Sequence, residues 1–218
     1  MPPRMPRKPP RRTRERILAT GLVLFNRVGE PNVTTADIGD EMNISPGNLY
    51  YHFRNKDDII GALYEALEAE IMPLFALPDR RGASVEDLWL LLHLLFERMR
   101  EYRFFYRDLD EITSRNRKIA ARFANLTRRG EITVIELCRG LVAAGEMRAS
   151  EREIAALASN ATLVATYWMS FQRIGAHGGG DAAAVSLDRA AYQVLALISP
   201  YLMGDGRALI ERLGQDYL

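Results

Sequence analysis

Apolar residues recur every three or four positions along almost the whole chain after Pro10, and no long apolar/polar alternation marks a half-buried strand. The pattern predicts an all-α protein. A first helix opening after Thr13 sets Ile17, Leu18, Gly21, Leu22, Phe25 and Val28 on one side, and Gly29 ends it as a left-handed cap. A fourth helix follows Asn55. Asp57 and Asp58 fall in its first turn, where the positive end of the helix dipole favours them, and Ile59, Ile60, Leu63, Leu67 and Ile71 form its apolar stripe. Pro73, Pro78 and "DRRG" then mark a loop. Further helices are expected at about 84–101, 103–113, 117–144, 151–175 and 187–203, with a short terminal one near 206–217. The triple glycine in "GAHGGGD" follows no predicted strand and precedes no Lys-Ser/Thr pair, so it reads as a flexible connection, not a phosphate loop.

Between the first and fourth helices lies the densest punctuation, "TTADIGDEMNISPGNLYYHFRNKDD" at 34–58. Thr34 or Thr35 caps a short second helix, with Asp37 in the capping-box position and Ile38 and Met42 one turn apart on one face. Gly39 permits close approach by another helix. Asn43 tolerates the left-handed backbone of a tight interhelical turn, and Ile44 plugs the corner. Ser45 caps a third helix with Pro46 at its first position, while Leu49 and Phe53 point to the core. Pro46, Gly47, Asn48, Tyr50 and Tyr51 are left facing outward. Two short helices joined by so tight a turn form a helix-turn-helix, whose second helix enters the DNA major groove. Gly47 removes bulk between backbone and DNA, and the Asn48 amide matches adenine N6 and N7. Tyr50, Tyr51, His52, Thr35 and Lys56 are suited to phosphates, which set position and not sequence. The expected division is a basic arm at 1–12, a helix-turn-helix domain at 13–55 and a helical body at 56–218.

Charge supports this division without deciding it. Residues 1–56 carry ten Lys/Arg against five Asp/Glu, whereas 57–218 carry 19 against 23, a basic head on a mildly acidic body. The arm with Arg4, Arg7, Lys8, Arg11 and Arg12 is either a solvated tail or a minor-groove contact. With 48% hydrophobic and 26% charged residues the composition is that of a globular chain able to bury a core. The longest apolar run, "LWLLLHLLF", is interrupted by His93 and falls far short of the roughly 20 residues a bilayer span needs. The N-terminus lacks the apolar stretch of a secretory signal, so a cytoplasmic protein is expected. Cys138, the single cysteine, excludes a disulfide within the chain and sits at helical spacing among apolar residues, as a buried inert thiol would. There is no G-x-S-x-G or H-E-x-x-H, and His52, His93 and His177 lie far apart. Neither an enzyme nor any metal or cofactor is expected.

The segment "TTADIGDEMNISPGNLYYHFRNKDDII" resembles the DNA-binding region of the TetR family of bacterial transcriptional regulators, through Ser45, Gly47, Leu49, Tyr50, His52, Phe53 and Lys56. Asn43 stands where that family usually has glycine. "NVTTADIGDEMNISPGNLYYHF", "LWLLLHLLFERMREYRFFYRDL" and the final "QDYL" are similar to PhaD-type regulators of polyhydroxyalkanoate metabolism. The resemblance implies a homodimer on double-stranded DNA whose larger domain binds a small effector, and the subgroup implies an acyl-CoA or fatty-acid metabolite. Two reading heads set about 34 Å apart, or a multiple, would match an inverted repeat.

A regulator of this kind needs a cavity, and methionine and aromatic walls with a few polar groups commonly line one. Candidates in the helical body are Leu67, Trp89, Leu92, His93, Phe96 and Met99, then Phe104, Phe105 and Leu109. Phe123, Leu126, Thr166, Tyr167 and Phe171 form an opposing wall. Arg103, Arg107 and Arg173 are placed to pair with an anionic effector, although exposed helical arginines are more often solvated. Ile154, Leu157, Leu163, Val194, Leu195 and Ile198, among abundant alanines, are the dimer-interface candidates, because in the family the last two long helices pair with their copies. Two other readings stay open: a constitutive DNA-binding protein without an effector, and an acyl-ester hydrolase.

Overall fold

A computed structural model describes residues 10–76, 83–176 and 187–215. Every extended regular element among them is helical, and the only pairing of strand type is an isolated bridge between Met147 and Leu202. The chain divides into two compact units, Met1–Ala66 and Leu67–Leu218.

The first unit holds α1 (Pro10–Val28), α2 (Thr35–Glu41), α3 (Pro46–His52) and the first part of α4 (Lys56–Ile71). α1 begins at Pro10, earlier than the sequence predicts, with a residue whose fixed φ suits a first helical position. Arg11 and Arg12 therefore belong to a helix and not to an arm, and the remainder of the expected arm lies outside the described residues. Ile17, Leu24, Phe25, Val33, Ile38, Leu49, Phe53, Ile59, Ile60 and Leu63 are buried. Val28, placed on the apolar stripe by spacing, is instead exposed, and Leu24 takes the inward position. The unit extends past the expected boundary at residue 55, because the start of α4 packs against α1. A Cβ added at Gly21 would lie 3.3 Å from Ile59 Cγ2.

The second unit takes the end of α4, including Leu67 and Ile71, and continues through a 3-10 turn at Met72–Phe75. Then come α5 (Val85–Glu101), α6 (Arg103–Arg107), α7 (Leu109–Arg115), α8 (Arg117–Ala143), α9 (Glu151–Ala176), α10 (Leu187–Ile198) and α11 (Gly204–Gln215). α5 opens on a capping box in which Ser84 and Asp87 satisfy each other's backbone N–H. The helix expected over 103–113 is broken at Asp108. This residue is buried, with its carboxylate held by Arg107 Nη2 at 3.1 Å, and it leaves helical geometry at ψ 23°.

α8 and α9 run antiparallel. Ser159 donates to Glu131 while Glu151 accepts from Arg139, so the pairs advance along one helix as they retreat along the other. Thr133 Oγ1 donates to the Phe75 carbonyl at 3.2 Å and pins the 3-10 turn to α8. Gly130 makes that approach possible, since a Cβ there would lie 3.1 Å from the Phe75 ring. At the end of α4, Glu68 accepts from Arg122 and Glu70 from Tyr102 and Arg98. Cys138 is fully buried and its thiol is pushed up to about 11 by desolvation, as an inert core residue should be.

Candidate nucleic-acid interface and apolar cavity

Local chemistry fixes the caps and the turn of the helix-turn-helix. Thr34 N–H and Oγ1 both donate to Asp37 Oδ2 at 2.7 Å, and Thr34 Oγ1 accepts from Asp37 N–H at 3.2 Å. That box fixes the start of α2. The Thr34 N–H, and then its hydroxyl, hold the Asp37 carboxyl below the usual carboxylate range. After α2 the chain reverses through Asn43 at φ 52°, the one non-glycine residue with positive φ among the described residues. Ile44 N–H then returns to the Gly39 carbonyl at 3.0 Å. A Cβ on Gly39 would lie 3.4 Å from the Ile44 carbonyl oxygen, so the close neighbour is the turn itself and not another helix. Ser45 Oγ accepts from Asn48 N–H at 3.3 Å and Pro46 occupies the first turn of α3.

These contacts decide what α3 presents. Leu49 and Phe53 are buried, whereas Ser45, Pro46, Gly47, Asn48, Tyr50 and Tyr51 are exposed and His52 is half-buried. Tyr51 reaches 80% exposure and meets His52 edge to face. Tyr50 Oη lies 3.3 Å from Thr35 Oγ1, linking the outer ends of α3 and α2. A Cβ at Gly47 would meet nothing within 4 Å, and Gly47 is not among the residues of positive φ, so neither packing nor backbone strain inside the chain requires glycine there. Lys56 departs from the expectation. Its Nζ sits 2.7 Å from Glu30 Oε1 and donates to the Glu30 carbonyl at 3.0 Å, with Glu30 fully buried. The ammonium is thus drawn into the unit by a buried carboxylate, which demotes it as a phosphate contact.

The second unit contains a cavity of about 70 Å³ lined by Ile71, Phe75, Leu91, Leu92, Leu95, Met99, Tyr106, Phe123, Leu126, Thr127, Gly130, Val134, Ala161, Thr162, Ala165 and Thr166. No charged side chain is among them. A wider groove of about 500 Å³ lies between α7, α8 and α9, lined by Leu109, Thr113, Ala120, Phe123, Ala124, Thr127, Glu131, Ser159, Thr162, Leu163, Thr166 and Tyr167.

The family model described as "Bacterial transcriptional repressor" matches residues 66–210, and that for "Bacterial regulatory proteins, tetR family" matches 17–63. The chain belongs to the TetR family. The two matched ranges meet where the two units of this TetR-family chain meet. Over 54 residues it is 37% identical to the class G tetracycline repressor protein of Vibrio anguillarum, covering 25% of this chain and 26% of the repressor. The chain thus matches about a quarter of the length of such curated relatives. A TetR-family transcriptional regulator from Marinobacter aquaeolei VT8 superposes with a TM-score of 0.82 at 33% identity, over 94% of this chain and 98% of that one. A transcriptional regulator from Saccharomonospora viridis, in complex with choline, shares the fold with a TM-score of 0.69 at 22% identity, over 89% and 100%.

Of the pocket residues read from the sequence, Leu92, Met99, Phe123, Leu126 and Thr166 line the cavity, and Leu109 and Tyr167 line the outer groove. Leu67, Phe96, Phe104 and Phe105 are buried but line neither space. Trp89 and His93 stack on each other, and His93 turns to Glu97 at 3.6 Å, on a part of α5 that does not face the cavity. Phe171 is 66% exposed. Arg107 is held by Asp108, Arg103 is exposed, neither lines the cavity, and the Arg173 side chain lies outside the described residues. Sequence spacing missed Phe75, Tyr106 and the α9 run Ala161, Thr162, Ala165 and Thr166 beyond its last member. The available signal was the small-residue stripe itself, which reads equally as close helix packing.

The interface candidates also need correction. Ile154, Leu157, Val194, Leu195 and Ile198 are buried by the chain's own helices, which leaves them no surface to offer a partner. Leu163 alone of the six is exposed. With Tyr167 and Phe171 it forms a stripe at i, i+4 and i+8 on α9.

Proposed function

We propose that this protein is a ligand-responsive transcriptional regulator that acts as a homodimer on an inverted-repeat operator. The observation that carries the DNA-binding part is the exposed tip of α3. Gly47, Asn48, Tyr50 and Tyr51 face solvent on a helix fixed by its own caps, and Gly47 answers no need inside the chain. In this reading Asn48 contacts a base edge, Gly47 lets the backbone approach, and Ser45, Pro46, Thr35, Tyr50, Tyr51 and His52 meet the phosphate backbone.

The dimer is formed through α9, with Leu163, Tyr167 and Phe171 at its centre, because an exposed apolar stripe of this length calls for cover. The effector places its apolar part in the cavity. The uncharged lining suits the acyl portion of the acyl-CoA or fatty-acid metabolite implied by the PhaD-type resemblance, and offers nothing to the phosphates of a coenzyme. Coupling runs through α4, one continuous helix that gives Ile59, Ile60 and Leu63 to the DNA-binding unit and Ile71 to the cavity wall. An effector preferring the DNA-incompetent arrangement by roughly 1 to 3 kcal/mol suffices to shift occupancy.

Fluorescence anisotropy on the DNA upstream of its own gene, with native mass spectrometry of the same mixture, tests the proposal. Two protomers per duplex and release on adding a ligand are expected. A monomer bound with equal affinity to unrelated DNA would overturn it.

A further inference from the structure

The cavity and the outer groove are not independent. Both are lined by Phe123 and Thr127 of α8 and by Thr162 and Thr166 of α9, two pairs spaced one helical turn apart. These four side chains are the wall that the inner apolar space shares with the outer groove, whose Leu163 and Tyr167 also belong to the proposed dimer stripe on α9. The inner space, at about 70 Å³, is too small for an ordinary small-molecule ligand, for which pockets run to roughly 300–1,000 Å³. The groove supplies the missing room, at about 500 Å³.

Thr162 and Thr166 bring hydroxyls to this double space, while the charge on its described lining is negative only. Thr127 Oγ1 spends its hydrogen on the Phe123 and Ala124 carbonyls, at 3.2 and 3.1 Å, and so presents only lone pairs to a guest. Among the described residues Glu131 is the one charged residue lining either space, and its Oε1 already accepts from Ser159. Among the described residues, no Arg, Lys or His lines the cavity or the groove. A carboxylate or phosphate entering here would lose hydration, find no cation, and face the Glu131 charge. A hydrogen-bond donor would find acceptors ready.

We propose that the effector site is the cavity and groove taken together, and that it takes an amphiphile whose apolar end passes between Phe123/Thr127 and Thr162/Thr166 while its donor-bearing, non-anionic head rests beside Glu131. This rests on the reading of the protein as an effector-binding regulator and narrows the chemical class of the ligand, setting aside the acyl-CoA and the free fatty acid that the PhaD-type resemblance implies. The free acid of a fatty metabolite is excluded, whereas its amine, amide or alcohol counterpart is admitted.

Octylamine, octanol and octanoate, titrated into the full-length protein by calorimetry, separate the possibilities. The amine and the alcohol should bind, and octanoate should bind at least about tenfold more weakly. Glu131→Gln should erase the amine's advantage over the alcohol and narrow the gap to octanoate. Thr162→Ile should block all three by adding bulk at the shared wall, and circular dichroism and thermal melting check that the variant is folded. Octanoate binding as tightly as octylamine, failure of all three to bind, or wild-type affinity in a folded Thr162→Ile protein would each overturn the composite site. The parent reading fails by a different result, in which octylamine saturates the protein and operator affinity stays unchanged.

Discussion

Asn48 is held by its backbone and released at its side chain. Its N–H is taken by Ser45, which leaves the amide exposed at the tip of α3. Asn48→Ala should therefore weaken operator binding by about 1–3 kcal/mol and leave affinity for a scrambled duplex unchanged, as read by anisotropy at fixed salt. Equal losses on both duplexes would show that it touches only backbone. Lys56 has the opposite character. With its ammonium on fully buried Glu30, Lys56→Ala strands a carboxylate, and a loss of about 2–4 kcal/mol of folding stability is expected in urea denaturation, the lower part of that range because the lysine is itself partly exposed. Adding Glu30→Gln should recover much of it. If Lys56→Ala instead leaves stability intact and only flattens the salt dependence of DNA binding, the phosphate role regains its place.

At the level of the element, the helix-turn-helix owes its shape to a few capping and turn residues. Asn43 sits at φ 52°, where β-branched side chains are costly. Asn43→Val should cost about 1–2 kcal/mol, while Asn43→Gly should be tolerated, by thermal melting of the two variants. The α2 box has a pH signature. The folded-state pKa of Asp37 is depressed by the Thr34 N–H, so its contribution is present above the unfolded carboxylate pKa and is lost as pH falls through the folded one. Asp37→Asn should accordingly destabilise the protein at neutral pH and make little difference in strong acid. An equal effect at both pH values would mean that the carboxylate charge plays no part. These elements were legible in the sequence because each depends on residues within five positions of one another: Thr34 with Asp37, Gly39 with Ile44, Ser45 with Asn48. The break at Asp108 was not legible, since it depends on burial of Asp108 and on Ser170 of α9 reaching the Tyr106 carbonyl at 3.4 Å.

For the whole molecule, the exposed α9 stripe and the inner cavity set the predictions. Leu163→Glu combined with Phe171→Glu should shift the protein to a monomer in sedimentation velocity and lower operator affinity at least about tenfold, because one reading head makes too few contacts for tight binding. A double variant that stays dimeric would move the interface off α9. The buried candidates Ile154, Leu157, Val194, Leu195 and Ile198 misled for a physical reason. Periodicity marks a face as apolar, but not whether a neighbouring helix of the same chain or a second copy covers it. The same ambiguity displaced Trp89, His93 and Phe171 from the cavity and concealed Phe75, which reaches the wall only because Gly130 lies beside it.

The helical class, the caps and turn of α2 and α3, the outward set around Asn48 and the family were all readable from the residues in order, because short-range hydrogen bonds and backbone preferences are written in neighbouring residues. It took the folded chain to reveal that Lys56 answers Glu30, that the first unit runs on to Ala66, and that small residues of α8 and α9 help enclose a void. Such facts depend on which side chains meet across tens of residues of chain, and hydrophobic spacing carries no record of the partner.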